Sequence, residues 1–179
     1  MKTLTIIVAS LIVAGALGFM LLEKRPGYGA YYGLAKLMGS RLDIGPVKWS
    51  TLTRHATPND ALVCPARHCP NAKPDAEPII YSAAPAELLA KLKRIALAEP
   101  GTTELYCGVD CDRKARILQH TRLMRFPDTI DIEVLAVADN QSTLAIYSRS
   151  LVGRSDFGVN RARIARWLAR LDGNSGPDV

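Results

Sequence analysis

A run of uncharged, mostly apolar residues near the amino terminus is the strongest hydrophobic pattern in the chain. It covers the nineteen residues 4–22 and is closed by Glu23 and Lys24. Its length matches that of a helix that crosses the hydrocarbon core of a bilayer. Residues 1–25 are therefore predicted to form a membrane anchor. The alternative is a cleaved signal sequence, because Ala14-Gly15-Ala16 resembles a small-residue cleavage site. The apolar run continues beyond that site, which favours the anchor.

Helical spacing of apolar residues marks two elements further along the chain. Residues 85–98 begin with a proline and carry an apolar stripe at 3.6-residue spacing, which predicts a helix. Residues 160–171 show the same spacing, and Asn160 is expected to cap this second helix. Both helices belong to a domain predicted over residues 79–172.

Between the two helices, apolar and polar residues alternate as they do in strands. Strands are predicted at residues 102–107, 117–126, 130–137 and 143–151. The order helix, strands, helix predicts an α+β fold: a two-layer domain with an antiparallel sheet of about four strands and the helices on one face. The N-terminal transmembrane helix would precede this domain.

Pairing the strands as hairpins predicts a register. Val137 is placed opposite Thr143, and Phe126 opposite Thr129, so that apolar residues meet apolar ones and acids meet bases. One sheet face then carries only polar side chains and tyrosine, and it is expected to be solvated, with a ligand-facing surface as the alternative. Its residues are His120, Arg122, Asp131, Glu133, Tyr147 and Arg149.

Three segments lack clear periodicity. Residues 26–50 place tyrosines and basic residues next to the anchor and are interpreted as a juxtamembrane segment, which either lies on the membrane or packs on the domain. Residues 51–78 are rich in Pro, Asn, Asp and Ala and are predicted to be an irregular arm that contains two cysteines. Residues 173–179 are predicted to be a disordered tail.

The four cysteines lie in two close pairs, Cys64 with Cys69 and Cys107 with Cys111. An even number of cysteines is what disulfides require, and four of them allow three pairings. Zinc binding, which His68 could join, and free buried thiols are the alternatives, although the spacings differ from the common Cys-x2-Cys sites. Basic residues after the anchor favour a cytoplasmic domain, whereas disulfides favour an oxidising, extracytoplasmic compartment such as the periplasm. We expect the latter.

The net charge of +6 and the pI of about 9.3 are compatible with an anionic lipid surface. The basic residues are scattered and are not interleaved with aromatic ones, so no nucleic-acid partner is expected. The chain contains no Gly-x-Ser-x-Gly, no His-Glu-x-x-His and no glycine-rich nucleotide loop. We therefore assign no catalytic residue, no metal site and no cofactor.

The most distinctive polar stretch joins the last strand to the last helix. Free N–H groups at the helix start, with arginines beside them, could hold a phosphate or carboxylate. The alternative is a capped connection whose side chains satisfy its own backbone. The candidate ligand-binding residues are Arg149, Arg154, Ser155, Asp156, Asn160 and Arg161. On the helix that follows, Arg163, Arg166 and Arg170 are expected to form a solvated ridge.

This stretch also resembles a known family. Ser148-Arg149-Ser150 is followed by Gly153-x-Ser155-Asp156-Phe157-Gly158-Val159-Asn160-Arg161, and further matches are Arg125-Phe126-Pro127-Asp128, Pro58-Asn59-Asp60, Cys64-Pro65 and Cys69-Pro70. These residues resemble domain-of-unknown-function family 1499, DUF1499, over about residues 57–171. The resemblance implies no reaction and no catalytic residues. It implies an exported or membrane-anchored protein.

The sequence thus indicates a membrane-anchored, extracytoplasmic module that is not an enzyme and binds an anionic lipid, a polyanion or a protein partner at the envelope. Two alternatives stay open. One is an envelope hydrolase, and the other is a metal-holding domain on the cytoplasmic side.

Overall fold

Five antiparallel strands form a single sheet, one strand more than the sequence predicts. They are β1 (Asp60–Val63), β2 (Thr102–Leu105), β3 (Lys114–His120), β4 (Pro127–Ala138) and β5 (Gln141–Ser150). Their order across the sheet is β1-β5-β4-β3-β2. Strands β2 to β5 are thus a meander, and β1 is added outside β5. The fold is α+β, as predicted.

The structure is a computed structural model, and it describes residues 45–54, 56–105, 108–121, 126–151 and 154–173. The predicted anchor at residues 4–22 and the tail at residues 174–179 lie outside this part of the chain. Among the described residues, no helix has the length and apolar character needed to cross a bilayer.

Both predicted helices are present. Helix α1 (Pro85–Leu97) has Pro85 at its first turn, and helix α2 (Val159–Leu171) follows β5. The predicted cap of α2 is wrong by two residues. Gly158 occupies the N-cap position with a φ of 81°, a left-handed conformation that glycine adopts without a steric penalty. Asn160 therefore lies inside the first turn of α2, where its side chain is fully buried.

The helices pack side by side on one face of the sheet, as predicted. Alternate residues of β3, β4 and β5 point toward them, and burial of this apolar surface is the main stabilising contribution to the fold. The buried cluster between the layers is centred on Leu92, Ile117, Ile132, Ile146 and Trp167.

Strand β1 was missed in the sequence because it has only four residues and no alternation. Ala61 and Val63 face the helices, whereas Leu62 joins a second apolar cluster on the opposite face. Both faces are covered, so the strand reads as a short apolar run rather than an alternating one. Its partner is β5, with Asp60 opposite Arg149. The arm, residues 51–78, is therefore partly regular.

The predicted β4–β5 register is wrong by two residues. Asp139 and Asn140 form a two-residue turn, with Asn140 at a φ of 52°, and Ala138 pairs with Gln141. A bulge follows, so that Thr143 lies opposite Leu135 rather than Val137. A shift by an even number of residues keeps each side chain on its predicted face, because the strand period is two.

The predicted β3–β4 register is wrong by eight residues. Strand β3 begins at Lys114 and ends at His120, so the loop before β4 is longer than predicted. Lys114 lies opposite Glu133, where Arg122 was expected. Arg122 itself lies outside the described residues. Pro127, expected in a turn, instead starts β4.

The polar face of the sheet is buried rather than solvated. Residues 45–54 and the arm cover it, with Trp49, Leu52, Cys64 and Cys69 in the apolar cluster that packs on Tyr147. We call this surface the arm face. Asp131 and Arg149 lie beneath the covering layer and are only 4% and 8% exposed. The expected solvated face is thus wrong, because an aperiodic segment can still supply a covering layer.

Candidate binding cleft

An open cleft of about 770 Å³ lies where the covering layer meets the ends of β3 and β4. Its walls are residues 46–51, a short piece of the arm at residues 67–70, and residues 108–110 before β3. Lys114 of β3 and Glu133 of β4 complete the lining. The volume falls within the range of small-molecule sites, roughly 300–1,000 Å³. This cleft is the candidate functional site.

Two aromatic rings form an apolar part of the cleft wall. The Trp49 ring lies 5.7 Å from the His68 ring, centroid to centroid, at an angle of 36°. Trp49 starts a 3-10 turn, Trp49–Thr51, and is 8% exposed. Such tilted pairs of rings contribute packing beyond the area they bury.

The charged groups of the cleft differ in whether they form ion pairs. Lys114 Nζ lies 3.4 Å from Asp110 Oδ2 and 3.8 Å from Glu133 Oε1, and His68 Nε2 lies 3.4 Å from Glu133 Oε2. Lys48 and Arg67 are both exposed, and neither forms an ion pair with any residue that the structure describes. The described lining therefore holds three cations, Lys48, Arg67 and Lys114, against two carboxylates, and two of those cations form no ion pair with a described residue.

Disulfides hold the walls of the cleft. Cys64 and Cys69 are bonded to each other, a bond that belongs to one of the three pairings that the sequence left open. Arg67 and His68 lie inside the loop that this bond closes. Cys111, which follows the opposite wall, is also disulfide-bonded. The predicted Cys107 lies outside the described residues. A sulfur in a disulfide is not a thiolate, so Cys64 and Cys69 are not zinc ligands in this state.

A buried ion-pair cluster on the arm face lies beside the cleft. Asp131 Oδ1 accepts a hydrogen bond from Arg116 Nε at 3.0 Å, and Asp131 Oδ2 accepts one from Arg149 Nη2 at 3.3 Å. Val47, a cleft residue, donates its N–H to the same carboxylate. Burial raises the pKa of Asp131, and attraction to Arg149 and Arg116 offsets only part of that rise. Both oxygens of this buried carboxylate are thus held by arginine.

The six candidate residues of the β5–α2 connection do not converge on one site. Arg149 faces the arm, whereas Asn160 is buried on the helix side. Arg154 and Ser155 are exposed, and Arg161 pairs with Asp75 at 3.0 Å. Binding of an anion by these residues stays a prediction.

Asp156 already satisfies the N–H groups that were expected to hold an anion. Its Oδ1 accepts from Gly158 N–H at 3.0 Å and its Oδ2 from Asn160 N–H at 2.8 Å. The carboxylate thus caps the positive end of the α2 dipole. This geometry is that of the self-satisfied connection, the alternative that the sequence left open.

Comparison with known families decides the identity of the domain. A family model described as Protein of unknown function (DUF1499) matches residues 50–171. The chain belongs to the DUF1499 family. No curated protein matches it significantly. The matched region includes β1 to β5, both helices and most of the cleft wall.

In this DUF1499 domain, the recognisable polar residues around α2 form a buried network. Arg163, expected on a solvated ridge, is instead 1% exposed. Its Nη2 lies 2.6 Å from Asp128 Oδ2, its Nη1 donates to Ser148 and Asn160, and its Nε donates to Gln119. The expected ridge is wrong at this position, because polar partners on the sheet allow a charge to be buried.

Asn160 and Asn59 extend the network to the start of β1. Asn160 Oδ1 accepts from Ser148 Oγ at 2.5 Å, and Asn160 Nδ2 donates to the Asn59 carbonyl at 3.1 Å. The Asn59 carbonyl also accepts from Ser150 N–H. These residues are far apart in the DUF1499 sequence, and their hydrogen bonds fix the first turn of α2 against β5 and the start of β1. Their role is structural.

A second chain of polar contacts ties the arm to the domain edge. Tyr147 Oη donates to Asp60 at 2.6 Å, Arg54 bridges Asp60 at 2.6 Å and Asp75 at 3.1 Å, and Asp75 also pairs with Arg161. Burial desolvates Asp75 and opposes its ionisation. The N–H of Leu62 and the Arg54 guanidinium outweigh that effect and lower its pKa.

Most of the cleft residues were not predicted from the sequence. Trp49 and Arg67 belong to stretches without periodicity, and only their folding onto the sheet brings them together. One signal pointed toward them: Arg67 and His68 lie between two closely spaced cysteines, and a bond between those cysteines forces the enclosed residues outward.

Proposed function

We propose that this DUF1499 protein is a membrane-anchored, extracytoplasmic module that is not an enzyme and binds an anionic partner at the envelope surface. The observation that carries the binding function is the cleft, where Lys48 and Arg67 have no carboxylate partner among the described residues. A cleft whose described cations outnumber its carboxylates, with two of those cations exposed, attracts anions.

The location rests on two further observations. Residues 4–22 form an uncharged run long enough to cross a bilayer. The cysteines that the structure describes are disulfide-bonded, and disulfides persist in oxidising compartments. Both support an anchored domain outside the cytoplasm.

Labelling of a cysteine introduced on the surface of the domain tests the location. Phe157 is 96% exposed, so a Phe157→Cys variant presents a reactive thiol without loss of packing. We expect a membrane-impermeant maleimide to label it in cells whose outer barrier is opened but whose cytoplasmic membrane is intact. The wild-type chain is the control. Labelling only after lysis of the cytoplasmic membrane would place the domain inside and overturn this part of the proposal.

The second candidate function is hydrolysis of an envelope component. The observation that favours it is the His68–Glu133 pair at 3.4 Å inside the cleft, since such a pair is a candidate general base. A His68→Gln variant separates the two. Full complementation of a deletion strain by a folded His68→Gln chain would remove the hydrolase. Loss of complementation by a folded His68→Gln chain that still binds the anion would favour it.

A further inference from the structure

The strongest unassigned feature of the molecule is the pair of exposed cations, Lys48 and Arg67, that line the cleft. Lys48 precedes the 3-10 turn and Arg67 lies in the disulfide-closed loop. These two segments are separate in sequence and both line the same space. The fold, rather than local sequence, places the two charges around it.

We infer that this cleft binds a phosphate-bearing group, with Lys48 and Arg67 as its charged contacts. The inference deepens the proposed function, on which it rests, by naming the site and the ligand chemistry. The guanidinium of Arg67 offers several N–H donors in a planar fork, and the ammonium of Lys48 is a compact charge; both are common phosphate ligands.

The charge count in the cleft favours an anion. Three cations, Lys48, Arg67 and Lys114, line it against the Asp110 and Glu133 carboxylates, a net charge of +1 without His68. Both carboxylates contact Lys114, and Glu133 also contacts His68, whereas Lys48 and Arg67 form no ion pair with a described residue. A phosphate monoester presents three acceptor oxygens to their N–H groups, against two in a carboxylate.

The covering layer supplies the rest of the site. The Trp49 and His68 rings form an apolar wall against which the organic part of a phosphate ester can pack. Beneath the layer, the Asp131 carboxylate accepts from Arg116 and Arg149 and also from the N–H of Val47, so it connects the cleft wall to the sheet. The shared chemistry is the phosphate, whether it comes from a lipid headgroup or from a soluble ester.

The Trp49 side chain provides the readout. The chain has two tryptophans, and Trp167 is completely buried in the helix-face core. We would measure tryptophan emission of the full-length chain in phosphatidylcholine nanodiscs at low salt. One arm titrates inorganic phosphate, a second titrates glycerol phosphate, and a third compares nanodiscs that contain 30% phosphatidylglycerol. Acetate at matched ionic strength tests for a response to carboxylates. A Trp49→Phe chain checks that the signal arises in the cleft.

Charge-removing variants decide the assignment. In the arm that responds, we expect Arg67→Gln and Lys48→Gln each to weaken the apparent affinity about tenfold, the size expected for one charge-assisted contact. The matched control is Arg94→Gln, which removes one exposed positive charge from α1, on the other face of the sheet from the cleft, and should change the affinity less than about twofold. Thermal melting confirms that each variant is folded.

Three results would overturn the inference: no phosphate-dependent change in any arm, an equal response to acetate, or an equal loss in Arg94→Gln and Arg67→Gln. A response to the phosphatidylglycerol discs alone identifies a headgroup as the source, and a response to soluble esters alone identifies a soluble ligand. Failure here leaves the maleimide labelling of Phe157→Cys unaffected, so the location and the ligand are judged separately.

Discussion

The Arg163 guanidinium lies 2.6 Å from the Asp128 carboxylate, and both side chains are buried between α2 and the sheet. Three residues further along the same helix, Arg166 contacts Glu99 at 3.2 Å with half of its side chain exposed. The two arginines make similar contacts in very different surroundings. Since a buried charge without a partner is costly, the two pairs should differ strongly in their effect on stability.

An Arg163→Met substitution should lower the free energy of unfolding by about 3–5 kcal/mol, because it leaves Asp128 buried without its cation. The matched change Arg166→Met should lower it by less than about 1 kcal/mol, as expected for an exposed pair. Urea denaturation of both variants measures the difference. Equal losses would contradict a structural role for the buried network.

The contribution of the Asp156 cap to stability should be measurable separately from that of its neighbour Ser155. Asp156→Ala removes the acceptor of two backbone N–H groups and should cost about 0.5–2 kcal/mol of unfolding free energy. Ser155→Ala is the control, since the Ser155 hydroxyl accepts a single exposed bond from Phe157 N–H at 3.3 Å. Thermal melts of the two variants give the comparison. A loss in Ser155→Ala as large as that in Asp156→Ala would refute the assignment of the cap.

Phe157 has an unusual combination of properties: a left-handed φ of 53° and 96% exposure. A large side chain gains no packing there and bears the cost of the left-handed conformation, about 1–2 kcal/mol. Phe157→Gly should therefore leave the domain as stable as before, or up to about 1 kcal/mol more stable. Gly158→Ala, at a φ of 81°, should do the opposite. Melting temperatures that fall in both variants would show that the Phe157 ring makes stabilising contacts.

Acid should weaken the ion pairs of Asp75, which connect the arm to the rest of the domain. The pKa of Asp75 is lowered in the folded state, so its carboxylate contributes stability that is present above its unfolded pKa, near 4. That contribution is lost as pH falls through the lower, folded value, because the unfolded chain then binds more protons. Unfolding free energies measured between pH 6 and pH 3 should fall less steeply in Asp75→Asn than in the wild type. Identical slopes would contradict the shift.

The Cys64–Cys69 bond closes a short loop, so its effect on the unfolded chain is modest. The chain-entropy relation gives about 2 kcal/mol for a loop of this size. A Cys64→Ala/Cys69→Ala chain should lose about that much stability and should still fold. Its response to phosphate should be weakened, as that of Arg67→Gln is, because Arg67 lies within the loop that the bond no longer closes. A response at wild-type strength would show that the bond does not position the cleft wall.

Much of the fold could be predicted from the sequence because its signals are local. The apolar stripes of α1 and α2 and the alternation around Ile132 depend on spacing within one segment, and these elements were placed within a few residues. Side-chain facing also survived the register error in β5, since the shift was even. Strand β1 and the burial of Asp131 could not be predicted this way, because both depend on a distant segment that folds over the sheet.

The candidate site was harder to predict for the same reason. The polar run at residues 154–161 was chosen because its residues are unusual and adjacent. In the fold, Asp156 accepts hydrogen bonds from the backbone of its own connection, and Asn160 bonds to Ser148 and Asn59 in the buried network. The cleft residues Trp49 and Arg67 carry no shared pattern in the sequence. Their proximity results from the covering layer and its disulfide, which only the folded chain displays.

The oxidation state of the cysteines in living cells is the most direct test of an extracytoplasmic, disulfide-built cleft. Cells are quenched in acid, and the denatured chain is treated with a mass-tagging maleimide before and after reduction. The account predicts no tagged cysteine before reduction and all four afterwards. Four tagged cysteines without reductant would show a reduced protein and would contradict both the compartment and the architecture of the cleft.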